Sequence, residues 1–147
     1  MANIIFINAT ESPFNYNRTL DIKSDAIRKN LSLGIRSELL YAKGVDLVEM
    51  RLYLIMKYEK EQVFSYNVGL TFTIAGWKEK LSSGATNVDI QNSEEVSKML
   101  DITVGFIRGS LFVQEKSTPF EGMNLPILSI PDMISTIQLI DLSAIKK

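Results

Sequence analysis

Alternation of apolar and polar residues runs through three stretches in the first half of the chain. Since successive side chains of a strand point to opposite faces, this period of two predicts an antiparallel sheet with one buried face. Such a sheet needs a covering layer, and only the helical patterns after residue 92 can supply one. The positions assigned to the buried face are Leu31, Leu33, Ile35, Ser37, Leu39 and Tyr41; Val48, Met50, Leu52, Leu54, Met56 and Tyr58; and Phe64, Tyr66, Val68, Leu70, Phe72 and Ile74.

The connections between these stretches indicate how the strands follow one another. Strands are predicted over residues 31–42, 47–59 and 63–77, and the short turns between them join antiparallel neighbours. A further strand is predicted over residues 3–9. Residues 10–30 are polar and irregular, so we expect a long crossover segment whose latter half can hold a short strand.

Helical periodicity follows a polar loop predicted over residues 78–92. Asn92, with Glu95 three residues later, resembles a capping box, which starts a long helix predicted over about residues 93–116. A loop and an apolar connector lead to a second helix, predicted over about residues 131–144. One stripe of the long helix is expected to face the sheet, and Ile102, Phe106 and Val113 are expected to extend it to one side. The stripe contains Val96, Met99, Leu100, Val104, Ile107 and Leu111.

These patterns together predict an α+β fold: a four-stranded antiparallel sheet with a long helix and a short C-terminal helix packed on one face. The 147 residues are expected to form a single domain. A hydrophobic share of 46% is high for a chain of this size and suggests that some apolar surface is shared with a partner. Three of the methionines, Met50, Met56 and Met99, fall on predicted core positions, which favours core filling over an adaptable binding surface.

The charge distribution excludes some classes of partner. The net charge is −1, with 16 basic and 17 acidic residues, and no run of Lys or Arg exceeds two, so binding to nucleic acid is not expected. The apolar stretch at residues 4–7 is too short for a signal peptide, and no segment approaches the length of a membrane span. The sequence therefore predicts a cytoplasmic protein.

The absence of histidine and cysteine narrows the chemistry further. Without these residues the chain by itself cannot form a Ser/His or Cys/His nucleophile or nearly any zinc site. Glu94 and Glu95 lie in the first turn of the predicted helix, where negative charge complements the helix dipole. Glu59 and Glu61 flank a turn, and the spacing of Glu11, Asp21 and Asp25 does not suggest a metal site. We therefore expect no catalytic residue, no metal and no cofactor.

The predicted order of elements resembles the SecB family of export chaperones. Residues 98–134 are similar to the family's stretch in which an apolar helix with a central arginine, here Arg108, leads through a loop to a Leu-Pro connector, here Leu125 and Pro126, and a last helix. Residues 63–77 are similar to the family's fourth strand. The resemblance covers nearly the whole chain in architecture and about a third of it in recognisable residues.

Membership of this family would imply a homo-oligomer, typically a dimer of dimers with the long helices sandwiched between sheets. It would also imply ATP-independent binding of unfolded polypeptides in apolar grooves, without a catalytic site. The strongly acidic character with which export chaperones dock on the translocase motor is missing from this nearly neutral chain. A relative dedicated to one client, such as an antitoxin-associated chaperone, therefore stays open beside a role in export.

Five residues are predicted to bind a client. The crossover aromatics can line a groove for extended peptide, or they can simply anchor the crossover to the core. Tyr53 and Ile55 lie on the outward face of the strand predicted over residues 47–59. They can contact a client, or this face can simply be exposed to solvent. The predicted client-binding residues are Phe14, Tyr16, Tyr41, Tyr53 and Ile55.

Six residues are predicted at an oligomer interface. Glycine in a helix interior costs about 1 kcal/mol relative to alanine, so Gly105 and Gly109 beside Phe112 suggest a close helix contact. The alternative is that a glycine near the helix end is a mere break. The predicted interface residues are Ile5, Ile7, Gly105, Arg108, Gly109 and Phe112.

The leading hypothesis is an ATP-independent, SecB-like chaperone that holds non-native polypeptides, or one dedicated client, in apolar grooves. Its expected partners are unfolded or nascent polypeptide, with a translocase or a toxin-antitoxin pair as further partners, and it is expected to form a homodimer or homotetramer. The alternative is a small-molecule-binding or enzymatic α+β domain that uses the same concave surface. A structural subunit without a client is a third hypothesis.

Overall fold

The computed structural model describes residues 4–21, 23–116, 118–121 and 128–144. The predicted Leu125-Pro126 connector lies outside these residues. The elements in chain order are β1 (Ile4–Glu11), β2 (Asn15–Tyr16), α1 (Asp25–Arg28), β3 (Leu31–Tyr41), β4 (Leu47–Tyr58), β5 (Glu61–Ile74), α2 (Trp77–Ser82), α3 (Asn87–Gln91), α4 (Glu94–Glu115), α5 (Ile130–Thr136), β6 (Gln138–Asp141) and a 3₁₀ turn (Leu142–Ala144).

The sheet is mixed and six-stranded in the described part of the chain, so the prediction of a four-stranded antiparallel sheet is wrong. Its order is β1-β5-β4-β3-β6, and the short β2 pairs with β5. β1, β2 and β4 run antiparallel to β5, and β3 runs antiparallel to β4, whereas β6 runs parallel to β3. The two additional strands are β2, within the crossover, and β6, which follows α5 because that helix ends at Thr136 instead of near residue 144. The following residues pair with the edge of β3, whose backbone groups would otherwise lack partners there.

The predicted alternation of buried and exposed positions is confirmed along β3, β4 and β5. Every predicted core position on β5 is buried, and Leu39, Met50, Leu52, Leu54 and Phe72 are fully inaccessible to solvent. Leu39, Met50 and Leu70 stand opposite one another across the three strands. The predicted face is therefore the one that the helices cover.

α4 covers β4 and β5 with the predicted stripe, all six of whose residues are buried. Its N-cap is Ser93, whose hydroxyl accepts a hydrogen bond from the Val96 backbone N–H at 3.3 Å. The predicted capping role of Asn92 is wrong, because the Asn92 side chain donates to the Val88 carbonyl and so completes α3. The capping box lies one helix earlier, between Thr86 and Asp89.

Two short helices occupy the segment predicted as a polar loop. Trp77 and Leu81 of α2 and Ile90 of α3 are buried in the core. Trp77 and Leu81 are four residues apart, which places them on one helix face. Six residues hold too few apolar positions to show this period clearly in the sequence.

The crossover also differs from its prediction. The short strand β2 lies in its first half, and the latter half contains the helix α1. Backbone hydrogen bonds from Ser12 to the Asn67 carbonyl (2.9 Å) and from Asn17 to the Val63 carbonyl (2.8 Å) bind this part of the crossover to β5. Across the described ranges, no helix is both long and apolar enough to cross a membrane.

Candidate functional site

A groove opens between the first half of β3 and α5 on the helix-covered face of the sheet. It has a volume of about 370 Å³, and we call it the β3–α5 groove. α4 lies over β4 and β5, so the first half of β3 is covered less completely. Leu33 and Ile35 are accordingly half-buried, whereas Leu39, further along the same face, is fully buried. The groove is lined by Leu33, Ile35, Ser37, Leu128, Ser129, Asp132, Met133 and Thr136.

The chemistry of the β3–α5 groove is mainly apolar. The hydroxyl of Ser129 caps α5 by accepting a hydrogen bond from the Asp132 backbone N–H at 3.4 Å. The hydroxyl of Thr136 donates to the Asp132 carbonyl at 3.2 Å. These two hydroxyls therefore already have hydrogen-bond partners in α5 and its cap. The aliphatic side chains of Leu33 and Ile35, on the β3 side of the groove, are available to contact an apolar side chain of a ligand.

Five aromatic side chains form a cluster beside the start of β5. The aromatic cluster consists of Phe14, Tyr16, Phe64, Tyr66 and Phe120, and the Phe14 ring lies 5.2–6.2 Å from the other four ring centres. Phe64, Tyr66 and Phe120 are buried, whereas Phe14 and Tyr16 are half-buried. The crossover aromatics thus anchor the crossover to the core and keep part of their ring surface accessible.

Polar contacts hold the walls of the aromatic cluster. The Tyr66 hydroxyl donates to the Glu11 carboxylate at the end of β1, and burial together with this hydrogen bond raises the pKa of Tyr66. The Phe120 backbone N–H donates to the Thr118 hydroxyl at 3.1 Å. That hydroxyl donates in turn to the Glu115 carbonyl at 2.6 Å. The turn after α4 is therefore folded back so that Phe120 enters the cluster.

The β3–α5 groove and the aromatic cluster belong to one apolar band. Strand register places Leu33, Met56 and Phe64 in one row across the sheet, and Ile35, Leu54 and Tyr66 in the next row. All six side chains belong to the covered face. Since neighbouring strands lie about 4.8 Å apart, Leu33 and Ile35 on β3 are about 10 Å from Phe64 and Tyr66 on β5, and Tyr16 on β2 is one further strand spacing away.

The structure does not bring the five predicted client-binding residues together. Phe14 and Tyr16 lie in the aromatic cluster, whereas Tyr53 and Ile55 lie on the opposite, outer face of the sheet. Tyr41 is only 6% exposed and belongs to the core, as its place on the predicted buried face requires, so this surface does not present it to a client. Burial, and secondarily the charge of Asp141, raise the pKa of Tyr41. Leu33, Ile35 and Met133 of the groove were missed, because the alternation shows a face but not how completely it is covered.

A second depression, of about 590 Å³, lies on the outer face of the sheet. We call it the outer trough. Tyr53 and Ile55 line it, together with Gly34, Arg36 and Lys57. The Arg36 guanidinium carbon lies 4.2 Å from the centre of the Tyr53 ring.

The predicted oligomer residues occupy two separate exposed surfaces. Ile5 and Ile7 on the edge strand β1 are 53% and 50% exposed, and Phe6 between them is 50% exposed. The other four residues lie on α4, where Arg108 is half-buried and Phe112 is 60% exposed.

Spacing of three or four residues places a second stripe on the exposed side of α4. A Cβ atom built on either glycine of this stripe would meet no atom within 4 Å. Ile102 and Val113 are 45% and 61% exposed, so the prediction that they extend the buried stripe is wrong, whereas Phe106 packs against the core. We call the set the α4 outer stripe; its members are Ile102, Gly105, Gly109, Phe112 and Val113.

Comparison with known proteins yields only distant structural similarity. No family model matches the chain, and no curated protein matches it. A solved SecB-like chaperone of Mycobacterium tuberculosis, in complex with a ChAD peptide from the HigA1 antitoxin, is similar to the chain with a TM-score of 0.43 and 12% sequence identity. The similarity covers 87% of this chain and 91% of the other. This level of similarity does not assign the chain to a family.

Proposed function

We propose that the chain is an ATP-independent chaperone that holds non-native polypeptide, or one dedicated client, at the two accessible ends of the apolar band on the covered sheet face. The supporting observation is the register that joins the half-buried Leu33 and Ile35 with Phe64 and Tyr66 through rows of buried side chains. The partly exposed Phe14 packs on both of these rings, and Tyr16 pairs with Phe64.

Extended clients present apolar side chains every second residue. The side chains of β4 and β5 between the two accessible ends of the band are buried. The two ends are about 14 Å apart, which matches side chains four residues apart in an extended client, one in the groove and one against the cluster.

The proposal involves binding only, and it includes no catalytic step. Aliphatic and aromatic contacts are non-directional, so they tolerate many client sequences. Client release then depends on competition with folding of the client and needs no nucleotide. The client can then be a polypeptide destined for export or one member of a toxin-antitoxin pair.

Suppression of aggregation tests the proposed function. The full chain at severalfold molar excess is expected to keep a chemically denatured test protein from aggregating after dilution, as measured by light scattering. The double variant Leu33→Thr with Ile35→Thr should suppress several-fold less, because threonine keeps the strand preference but removes apolar surface. The matched control is Ile55→Thr, since Ile55 lies on the outer face and is 36% exposed.

Two outcomes would contradict this function. One is the absence of suppression by the unaltered chain. The other is equal activity of the double variant and the Ile55→Thr control. Urea unfolding of all three proteins shows whether a difference arises from the groove or from loss of folded protein.

We also propose that the chain forms a homo-oligomer. Both the β1 edge and the α4 outer stripe expose apolar surface that a second copy could cover. An edge strand has unpaired backbone groups available for another strand, and glycines let helices approach closely.

A further inference from the structure

The side chains that line the outer trough form three rows, which cross β3, β4 and β5 on the outer face of the sheet. The floor row is Gly34, Ile55 and Ser65; one wall is Arg36, Tyr53 and Asn67, and the other is Ser32, Lys57 and Gln62. The two walls are four residues apart along β3, which is about 13 Å.

The packing of the chain itself does not require a glycine at position 34 in the floor row. A Cβ atom at this position would meet only the Ile55 carbonyl oxygen, at an ordinary contact distance of 3.6 Å. Glycine in a strand interior costs about 0.5–1 kcal/mol relative to alanine, and it often marks a place where another backbone approaches. Ser65, on the opposite side of Ile55 in the same row, also has a small side chain, so only Ile55 projects from the floor of the trough.

The walls of the outer trough are cationic. Among the described residues that line it, Arg36 and Lys57 carry charge and none is acidic, although the chain as a whole has a net charge of −1. Lys57 forms no ion pair with any carboxylate in the described ranges. Arg36 approaches Glu38, which lies outside the trough, at 3.9 Å, and its side chain is 56% exposed. A pair of this kind leaves the guanidinium largely available to another anion.

We propose that the outer trough binds a short acidic segment of a polypeptide partner in extended conformation. The side chains of an extended chain alternate between two sides, so adjacent acidic residues lying along the trough reach Arg36 on one wall and Lys57 on the other. The partner's backbone then passes over Gly34 and Ile55. The trough is open along its top, which fits a chain passing through better than a small molecule, whose sites bury most of the ligand.

This inference is independent of the proposed function, because it concerns the opposite face of the sheet. The test uses a fluorescein-labelled seven-residue peptide with Asp-Glu-Asp at its centre and the full chain, with binding measured by fluorescence anisotropy. The neutral peptide with Asn-Gln-Asn at the centre is the ligand control. The acidic peptide is expected to bind at least ten-fold more tightly than the neutral one, and less tightly as salt is added.

Three variants locate the binding. Arg36→Glu and Lys57→Glu should each weaken the acidic peptide at least ten-fold, and Gly34→Val should do so by filling the floor. Lys78→Glu is the matched control, since Lys78 is exposed on α2 and does not line the trough, and it should change affinity less than two-fold. Urea unfolding shows that the variants are folded.

Chemical shifts of backbone amides provide a second readout. The acidic peptide is expected to shift the Gly34 and Ser65 signals and to leave the Met133 signal of the β3–α5 groove unchanged. Equal affinity for the neutral peptide, an equal loss with Lys78→Glu, or shifts confined to Met133 would each overturn the proposal. Aggregation suppression by the Lys57→Glu variant is expected to stay normal, so failure of either proposal can be recognised separately.

Discussion

Glu115 is a carboxyl group buried at the last turn of α4, with its residue only 5% exposed. Burial raises its pKa to about 7 from the ordinary value of 4.5. The negative end of the helix dipole also disfavours a charge at this position. In the unfolded chain the carboxyl group ionises at its ordinary pKa, whereas in the folded chain it keeps its proton to higher pH.

The variant Glu115→Gln should therefore change the dependence of stability on pH. Between pH 4.5 and about 7 the folded state of the unaltered chain binds more protons than the unfolded state, so its free energy of unfolding falls as pH rises. The glutamine variant lacks this loss and should be more stable at pH 8 by about 1–3 kcal/mol, since one pKa unit is worth about 1.4 kcal/mol. Urea unfolding at pH 5 and pH 8 measures the difference, with the exposed Glu121→Gln as control. Parallel pH profiles for the unaltered chain and Glu115→Gln would refute this account.

Two glycines of the chain should respond in opposite ways to replacement by alanine. Gly34→Ala is expected to stabilise the protein by about 0.5 kcal/mol, because the new Cβ meets only an ordinary contact and the unfolded chain loses freedom. Gly76→Ala is expected to destabilise it by about 1 kcal/mol, since Gly76 has a φ of +81° before α2. Urea midpoints of the two variants check both signs, and a loss of stability in Gly34→Ala would show that the strand itself requires this glycine.

At the scale of the element, α4 presents one stripe to its own sheet and another to solvent. The first stripe is buried, whereas Phe112 and Val113 of the α4 outer stripe are about 60% exposed. Lys116 places its ammonium group 5.2 Å from the centre of the Phe112 ring, which shields only one part of it. Exposed apolar stripes of this kind commonly mark contacts between molecules.

Phe112→Asp should shift the chain toward a smaller assembly, because it replaces apolar contact surface with a carboxylate that must lose solvation in a helix contact. Light scattering coupled to size-exclusion chromatography measures the assembly mass. Val88→Asp serves as control, since Val88 is 63% exposed on α3, away from the α4 outer stripe. A monomeric unaltered chain, or equal effects of the two variants, would contradict the proposed oligomer.

At the scale of the whole molecule, the sheet has a strongly paired centre and a weakly paired edge. β4 pairs along its length with both β3 and β5, whereas β6 contributes four residues and pairs in parallel with the end of β3 alone. α5 directly precedes β6 and forms one wall of the β3–α5 groove. Local opening starts where buried contacts are few, so the groove borders a part of the sheet that opens more easily than the central strands.

Hydrogen exchange should show this gradient. Backbone amides in the middle of β4, such as that of Leu52, are expected to exchange only through global unfolding, whereas amides of β6 should exchange at least a hundred-fold faster. Mass spectrometry of peptides after exchange measures both regions. Equal protection of β4 and β6 would show that α5 and β6 do not open separately from the central strands.

The buried faces of β3, β4 and β5 and the inward stripe of α4 could be predicted from the order of residues alone. A period of two or of 3.6 specifies which side of an element avoids water, whatever that side packs against. Met50, Leu70 and Leu100 were placed correctly for this reason, and each is at most 1% exposed. The short helices α2 and α3 contain too few turns to show a period.

The site depends on relations between distant residues that no local pattern contains. β6 pairs with β3 about a hundred residues earlier in the chain, and this pairing turned the end of the predicted helix into a strand. Leu33 and Leu39 share one face by alternation, yet the position of α4 leaves only Leu33 partly open. The trough likewise exists because strand register sets Gly34 beside Ile55. Periodicity specifies the side on which a residue lies, whereas coverage and neighbours follow from how the elements pack.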